Sequence, residues 1–128
     1  MNPALEGAPG HPRTMEMATR RADVADWIVL SMSADADSRR RAVHSLCPCE
    51  VKANIPQVWR RLLELARDPD PDVRRMVVHA LCDGSPAVYR DQVVRTLEML
   101  AQDDDERVRR GARRVLAAYR RTGTVNVL

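Results

Sequence analysis

The stretch VRRMVVHALC, residues 73–82, decides the fold because the sequence contains two further copies of it at a constant distance. One copy, SRRRAVHSLC, begins at Ser38, and the other, VRRGARRVLA, begins at Val108. Each of these starts lies 35 residues from the start of the middle copy. An internal period of this length is typical of helical repeat proteins, in which one repeat is one supersecondary unit. The sequence therefore predicts three stacked units.

Each copy has the apolar spacing of an amphipathic helix. In the third copy, one stripe holds Val108, Ala112, Val115, Leu116 and Tyr119, which are residues that share a face at 3.6 residues per turn. A second, upstream helix precedes each copy with the same period. The six helices are predicted at residues 15–32, 36–47, 55–67, 71–82, 86–102 and 105–121. Alone, none of the three pairs can bury its apolar face, whereas stacking them builds one core.

Local signals agree with these boundaries. Asp70 is a suitable N-cap, Pro71 suits the first helical position, and Gly84 follows the last turn of that helix, as is common at helix ends. Ser85 followed by Pro86 marks the start of the third upstream helix by the same reasoning. Both Trp27 and Trp59 lie at core positions of the repeat.

The string DPDPDVRRMVVHALCDG, from Asp68 to Gly84, resembles the second helix of HEAT repeats, in the variety called PBS-lyase HEAT-like. In that family an aspartate precedes a Val-Arg pair, small and apolar positions follow, and a glycine closes the helix. The positions that match here are Asp70, Val73, Arg74, Val77, Leu81 and Gly84. The resemblance covers roughly residues 15–121.

This resemblance implies an all-α fold, an α–α superhelix (a right-handed, armadillo-like solenoid) of three HEAT-type helical hairpins. The hairpins would span about 14–47, 50–82 and 85–121 in a single domain at 14–121. Residues 1–13 are interpreted as a flexible leader and residues 122–128 as a frayed C-terminal tail. The resemblance also implies a structural ladder between repeats, in which Asp35, Asp70 and Asp105 meet Arg39, Arg74 and Arg109.

HEAT-like proteins are mostly binding scaffolds, and some relatives are bilin lyases or alkylpurine DNA glycosylases. The chain has no Ser-His-Asp set and no glycine-rich phosphate loop, so the resemblance implies a non-enzymatic scaffold for protein–protein interaction. No apolar run approaches the roughly 20 residues of a membrane-spanning helix. Three cysteines, an odd count, fit a reducing compartment, and we expect a cytoplasmic protein that is a monomer or an end-to-end dimer.

Positive charge is concentrated at the end of the chain. Residues 105–128 hold seven arginines and two acidic residues, a balance of +5, against +3 for the whole chain. The candidate binding residues of this basic helix are Arg107, Arg110, Arg113, Arg114 and Arg121. A guanidinium fork binds two oxygens of a carboxylate or phosphate. Three interpretations stay open: the polar cap of a terminal repeat, a protein partner with an acidic surface, and nucleic acid.

Histidine and cysteine recur at equivalent positions of the first two copies. If this set binds a metal ion, that ion is zinc, and the candidate ligands are His44, Cys47, Cys49, His79 and Cys82. Residues at i and i+3 of a helix share a face, and zinc prefers thiolate and imidazole ligands. The alternatives are buried structural thiols, which need no cofactor, and a redox role for Cys47 and Cys49.

Overall fold

The computed structural model describes residues 23–47 and 54–127, and within those ranges every regular element is helical. The first helix, α1, is described from residue 23 to 30. The others are α2 (Ala36–Leu46), α3 (Pro56–Leu65), α4 (Pro71–Leu81), a 3₁₀ turn (Ala87–Tyr89), α5 (Arg90–Leu100) and α6 (Glu106–Thr122). The predicted all-α solenoid is thus confirmed. The leader predicted at 1–13 and the helix start predicted at 15 lie outside the described residues.

Three aspartates, one repeat apart, begin the second helix of each hairpin. Asp35 accepts the backbone N–H of Ser38, Asp70 those of Asp72 and Val73, and Asp105 those of Arg107 and Val108. A carboxylate in this place satisfies amide groups that have no partner in the helix itself, and it is favoured by the helix dipole. The capping role predicted for Asp70 is confirmed, with Pro71 in the first turn.

The third upstream helix starts later than its Ser-Pro signal predicts. Only a 3₁₀ turn follows Pro86, and the α-helix begins at Arg90. The Ser85 hydroxyl is instead 3.0 Å from Oδ1 of Asn126, an oxygen that also accepts the backbone N–H groups of Gly84 and Ser85. The C-terminal tail is predicted to be frayed, but its described residues pack against this loop.

The second helices α2, α4 and α6 lie side by side, and α3 and α5 pack against α4 and α6. The small position shared by the three copies, Ala42, Val77 and Ala112, is fully buried in each. Trp59 is also in the core, as predicted, with its ring centroid 5.4 Å from that of Tyr89 in a stacked pair. The three hairpins therefore share one continuous core.

The first repeat departs from the others at Ser31, a polar residue where the later copies have alanine. Ser31 is completely buried. Arg61 of α3 donates to its hydroxyl at 2.8 Å and to its carbonyl at 2.9 Å. These bonds offset the cost of burying a hydroxyl, and they tie the end of α1 to the next hairpin.

Two largely buried arginine–aspartate pairs connect successive repeats. Arg39 donates from Nε and Nη2 to the carboxylate of Asp68, at 2.8 and 3.1 Å. Arg74 does the same with Asp103, at 2.9 and 3.0 Å. The predicted ladder is therefore right in these two arginines and wrong in their acidic partners. Each partner lies two residues before a capping aspartate.

The capping aspartates are unsuited to the ladder because the amide groups of their own helices occupy them. Asp35, Asp70 and Asp105 each bind a helix N-terminus. The third arginine of the set, Arg109, donates from Nη1 to the backbone carbonyl of Asp103 at 2.9 Å. Within the described residues it has no carboxylate partner. In the described part of the chain, the ladder thus comprises two rungs, one at each junction between hairpins.

The rung between Arg74 and Asp103 shifts the pKa values of both its partners. The hydrogen bond from Arg74 to Asp103 raises the pKa of Arg74. Burial alone would raise the pKa of Asp103, but the bonds that it accepts from Arg74 and from the amide of Asp105 outweigh burial and lower it. Only 13% of the Arg74 side chain and 9% of the Asp103 side chain are exposed. Removing one partner of such a pair strands a charge in the interior.

We expect Arg74→Met to lower the free energy of unfolding by about 3–5 kcal/mol, because it leaves the Asp103 carboxylate buried without its cation. Urea titration followed by circular dichroism measures this loss. Adding Asp103→Asn should recover part of it, since asparagine removes the charge and still accepts the amide of Asp105. Arg109→Met is the matched control and should cost less than about 1 kcal/mol. Equal losses at Arg74 and Arg109 would contradict the ladder.

The lowered pKa of Asp103 also predicts how stability depends on pH. When the pH falls, the unfolded chain takes up this proton before the folded chain does, so the free energy of unfolding decreases below about pH 5. We expect the slope in acid to be smaller in Asp103→Asn than in the wild type. Glu98→Gln, which changes an exposed carboxylate of α5, serves as the control and should leave the slope unchanged. Urea titrations at several acidic pH values test both.

Candidate functional site

A groove of about 330 Å³ runs between α4 and α6, the second helices of the last two hairpins. Its lining residues are cationic at the rim and apolar or small at the floor: Arg75, Val78, His79, Arg107, Arg110, Gly111, Arg114 and Val115. Three of the five arginines predicted for binding therefore line one surface feature. We call it the α4–α6 groove.

Helical spacing explains how α6 contributes to this groove. Arg107, Arg110 and Arg114 stand at i, i+3 and i+7, which places them on one stripe of the helix. Gly111 lies in the same stripe and leaves the floor open. A Cβ atom at Gly111 would lie 3.6 Å from Val78 of α4, at ordinary van der Waals distance. The depth of the groove at this point thus comes from the missing side chain.

Arginines at the rim differ in whether a carboxylate neutralises them. Arg107 is 2.8 Å from Asp72, and that carboxylate together with Asp105 raises the pKa of Arg107. Arg110 pairs with Glu106 at 2.6 Å. Arg75 of α4 and Arg114 of α6 have no ion pair within the part of the chain that the structure describes, and both are exposed.

Among the described residues, the groove therefore carries two cations without an ion-pair partner, on opposite helices. Exposed guanidinium groups in this position can bind the two oxygens of a carboxylate with both nitrogens of the fork. Between them lies an apolar floor, in which Val78 and Val115 are buried. The arrangement suits a ligand that is acidic at its edges and apolar at its centre.

The other two predicted arginines lie elsewhere. Arg113 points to the opposite side of α6 and donates from Nε to the carbonyl of Ala101 at 3.0 Å. Arg121 is exposed in the last turn of α6 and does not line the groove. Sequence reasoning missed Arg75, although the repeat gave a signal for it: the positions one period away are Arg40 and Arg110.

Of the predicted metal ligands that the structure describes, it brings together Cys47 and His79, and it adds Asp83. One ligand atom from each lies within 4.8 Å of the others. His44 sits apart, beside Trp27 and Leu30 on the first hairpin. Cys49 lies outside the described residues.

Cys82 is not part of that group. It is fully enclosed, and removal from water raises the pKa of its thiol to about 12. A thiol with such a pKa is neutral at physiological pH, whereas metal binding and nucleophilic reactions use the thiolate. Cys82 is therefore a neutral thiol that packs in the apolar core.

The sequence profile of HEAT repeats matches residues 24–117. Since this match spans well over half of the chain, the protein belongs to the HEAT-repeat family. Repeats of this family generally mediate protein–protein interaction, and they are typically non-enzymatic scaffolds. No curated protein and no solved structure is significantly similar to the chain. None of the described helices is long and apolar enough to cross a bilayer.

Gly111→Ala should raise the free energy of unfolding by about 0.5–1 kcal/mol, because alanine has the higher helix propensity and its methyl group fits against Val78. Urea titration of the variant against the wild type measures this gain. A destabilised Gly111→Ala protein would show that α4 and α6 approach more closely at this point than the structure has them. The missing side chain at Gly111 would then not explain the depth of the groove.

Proposed function

We propose that the protein is a binding scaffold whose α4–α6 groove holds an acidic, amphipathic segment of a partner protein. The observation that carries this proposal is the placement of Arg75 and Arg114, exposed and without internal ion pairs in the described residues, on either side of an apolar floor. We place this interaction in the cytoplasm, because an odd number of cysteines fits a reducing compartment.

The chemistry of recognition follows from the two parts of the groove. A helix that docks into a groove presents one apolar stripe to the floor and polar residues to the rim. Here the floor formed by Val78, Gly111 and Val115 would contact the apolar stripe. Glutamate or aspartate residues beside that stripe would meet Arg75 and Arg114, each in a charge-assisted hydrogen bond.

A protein segment fits this surface better than nucleic acid does. Asp72 and Glu106 form ion pairs with Arg107 and Arg110 of the groove. Their carboxylates would repel a phosphate backbone, whereas a peptide can place its acids selectively. The chain also has only two Trp, two Tyr and no Phe, and none of the Trp and Tyr rings lines the α4–α6 groove. Base stacking would need exposed rings.

The test is a fluorescence anisotropy titration with a labelled synthetic peptide, in which leucine and glutamate alternate at helical spacing. We expect saturable binding that weakens as salt is added. The double charge reversal Arg75→Glu/Arg114→Glu should weaken binding by about tenfold to a hundredfold, the range of residues that dominate an interface. Gly111→Leu should also weaken it, because the new side chain fills the floor.

Two controls separate the groove from charge in general. The double reversal Arg95→Glu/Arg121→Glu changes the net charge by the same amount at exposed positions outside the groove, and it should leave peptide affinity within about twofold. Single-stranded DNA of matched charge is the second probe. If DNA binds more tightly than the peptide, the nucleic-acid interpretation replaces this one. Equal weakening by the two double reversals would show that binding is unspecific.

A further inference from the structure

Cysteine, histidine and aspartate converge where the first hairpin meets the second. Cys47 directly follows α2 as its C-cap, His79 lies in the last turn of α4, and Asp83 follows that helix. The Cys47 Sγ atom is 3.9 Å from Oδ2 of Asp83. His79 Nε2 is 3.6 Å from the same oxygen. The three side chains therefore come from two repeats, and their ligand atoms lie close together.

These separations are close to those of a tetrahedral zinc site. Zinc bonds of about 2.0–2.3 Å to nitrogen, oxygen and sulfur put neighbouring ligand atoms about 3.4–3.6 Å apart. The two separations that involve Asp83 would thus shorten by a few tenths of an ångström. The remaining one, from Cys47 to the imidazole, lies within 4.8 Å. It can close by rotation of the His79 side chain, which is half exposed.

We propose that Cys47, His79 and Asp83 bind one zinc ion at the junction of the first two hairpins. Thiolate, imidazole and carboxylate are the three donor types that zinc takes in proteins. Cys47 is only 2% exposed, whereas His79 and Asp83 reach the surface and give the ion a path from solvent. The fourth position is open to water or to an external ligand.

The donor set is not a by-product of the repeat. Asp83 has no copy, since the positions one period away are Pro48 and Ala118. At the next junction the residues equivalent to Cys47, His79 and Asp83 are Cys82, Arg114 and Ala118, which cannot form such a site. Three ligands of different type thus occur together at one junction and not at the other, although the helices stack in the same way.

The site is tested by titrating tag-free, reduced protein with Co²⁺, which reports its ligands by absorption, and then displacing it with Zn²⁺. We expect one Co²⁺ per chain and a thiolate-to-cobalt charge-transfer band. That band should be lost in Cys47→Ser. The affinity should fall by about a hundredfold or more in His79→Gln and in Asp83→Asn, since even indirect partners of metal ligands are worth 10–100-fold. Zinc should raise the melting temperature of the wild type but not of these variants.

His44→Gln and Cys82→Ala are the matched controls, because both residues lie outside the group and should leave the Co²⁺ affinity unchanged. Circular dichroism establishes that each variant is folded. Should Cys47→Ser fail to fold, His79→Gln and Asp83→Asn carry the test, since their side chains are at the surface. Metal stoichiometry near zero overturns the proposal. So does unchanged affinity in His79→Gln, or a charge-transfer band that persists in folded Cys47→Ser, because the thiolate would then come from another cysteine.

Discussion

The stacking of this solenoid depends on one guanidinium at each junction, which binds two turns at once. Arg74 donates from Nη1 to the carbonyls of Asp68 and Pro69 in its own repeat and from Nε and Nη2 to Asp103 in the next. Asp103 in turn accepts the amide of Asp105, which caps α6. Because a buried ion pair is tolerated only when its donors and acceptors are satisfied, the turn, the helix start and the distance between repeats are fixed together.

The periodic features of this structure were predictable because they are local. Helix spacing, the capping aspartates and the small buried position can each be derived from neighbouring residues. The choice of acid in the ladder could not be derived in that way, since Asp68 and Asp70 both recur one period later, at 103 and 105. The decisive difference is at the first copy, where the position equivalent to Asp68 is Ser33. Each rung joins an arginine of one repeat to an acid of the following repeat. The ladder therefore needs no acid at this position of the first repeat, and a serine is sufficient there.

For the candidate site, the sequence predicted which residues share one face of a single helix. It did not predict which residues of two neighbouring helices come together. The arginine stripe of α6 follows from its own spacing, but Arg75 joins it only because α4 lies alongside. Identical histidines of the repeat end in different surroundings for the same reason: His44 borders Trp27, whereas His79 borders the α4–α6 groove. Side-chain environments that depend on a neighbouring repeat differ between the inner and the outer units of a stack, even when the residues are copies.

Adjacent arginines in this fold have different surroundings, because the angle between them on the helix directs them to different neighbours. Arg74 faces the next turn and is saturated by hydrogen bonds, while Arg75, about 100° further round α4, lines the groove and has no ion pair among the described residues. His79 connects the two proposals, because it lines the groove and belongs to the cysteine–aspartate group. Zinc bound there would replace the thiol proton of Cys47 and leave the junction more positive.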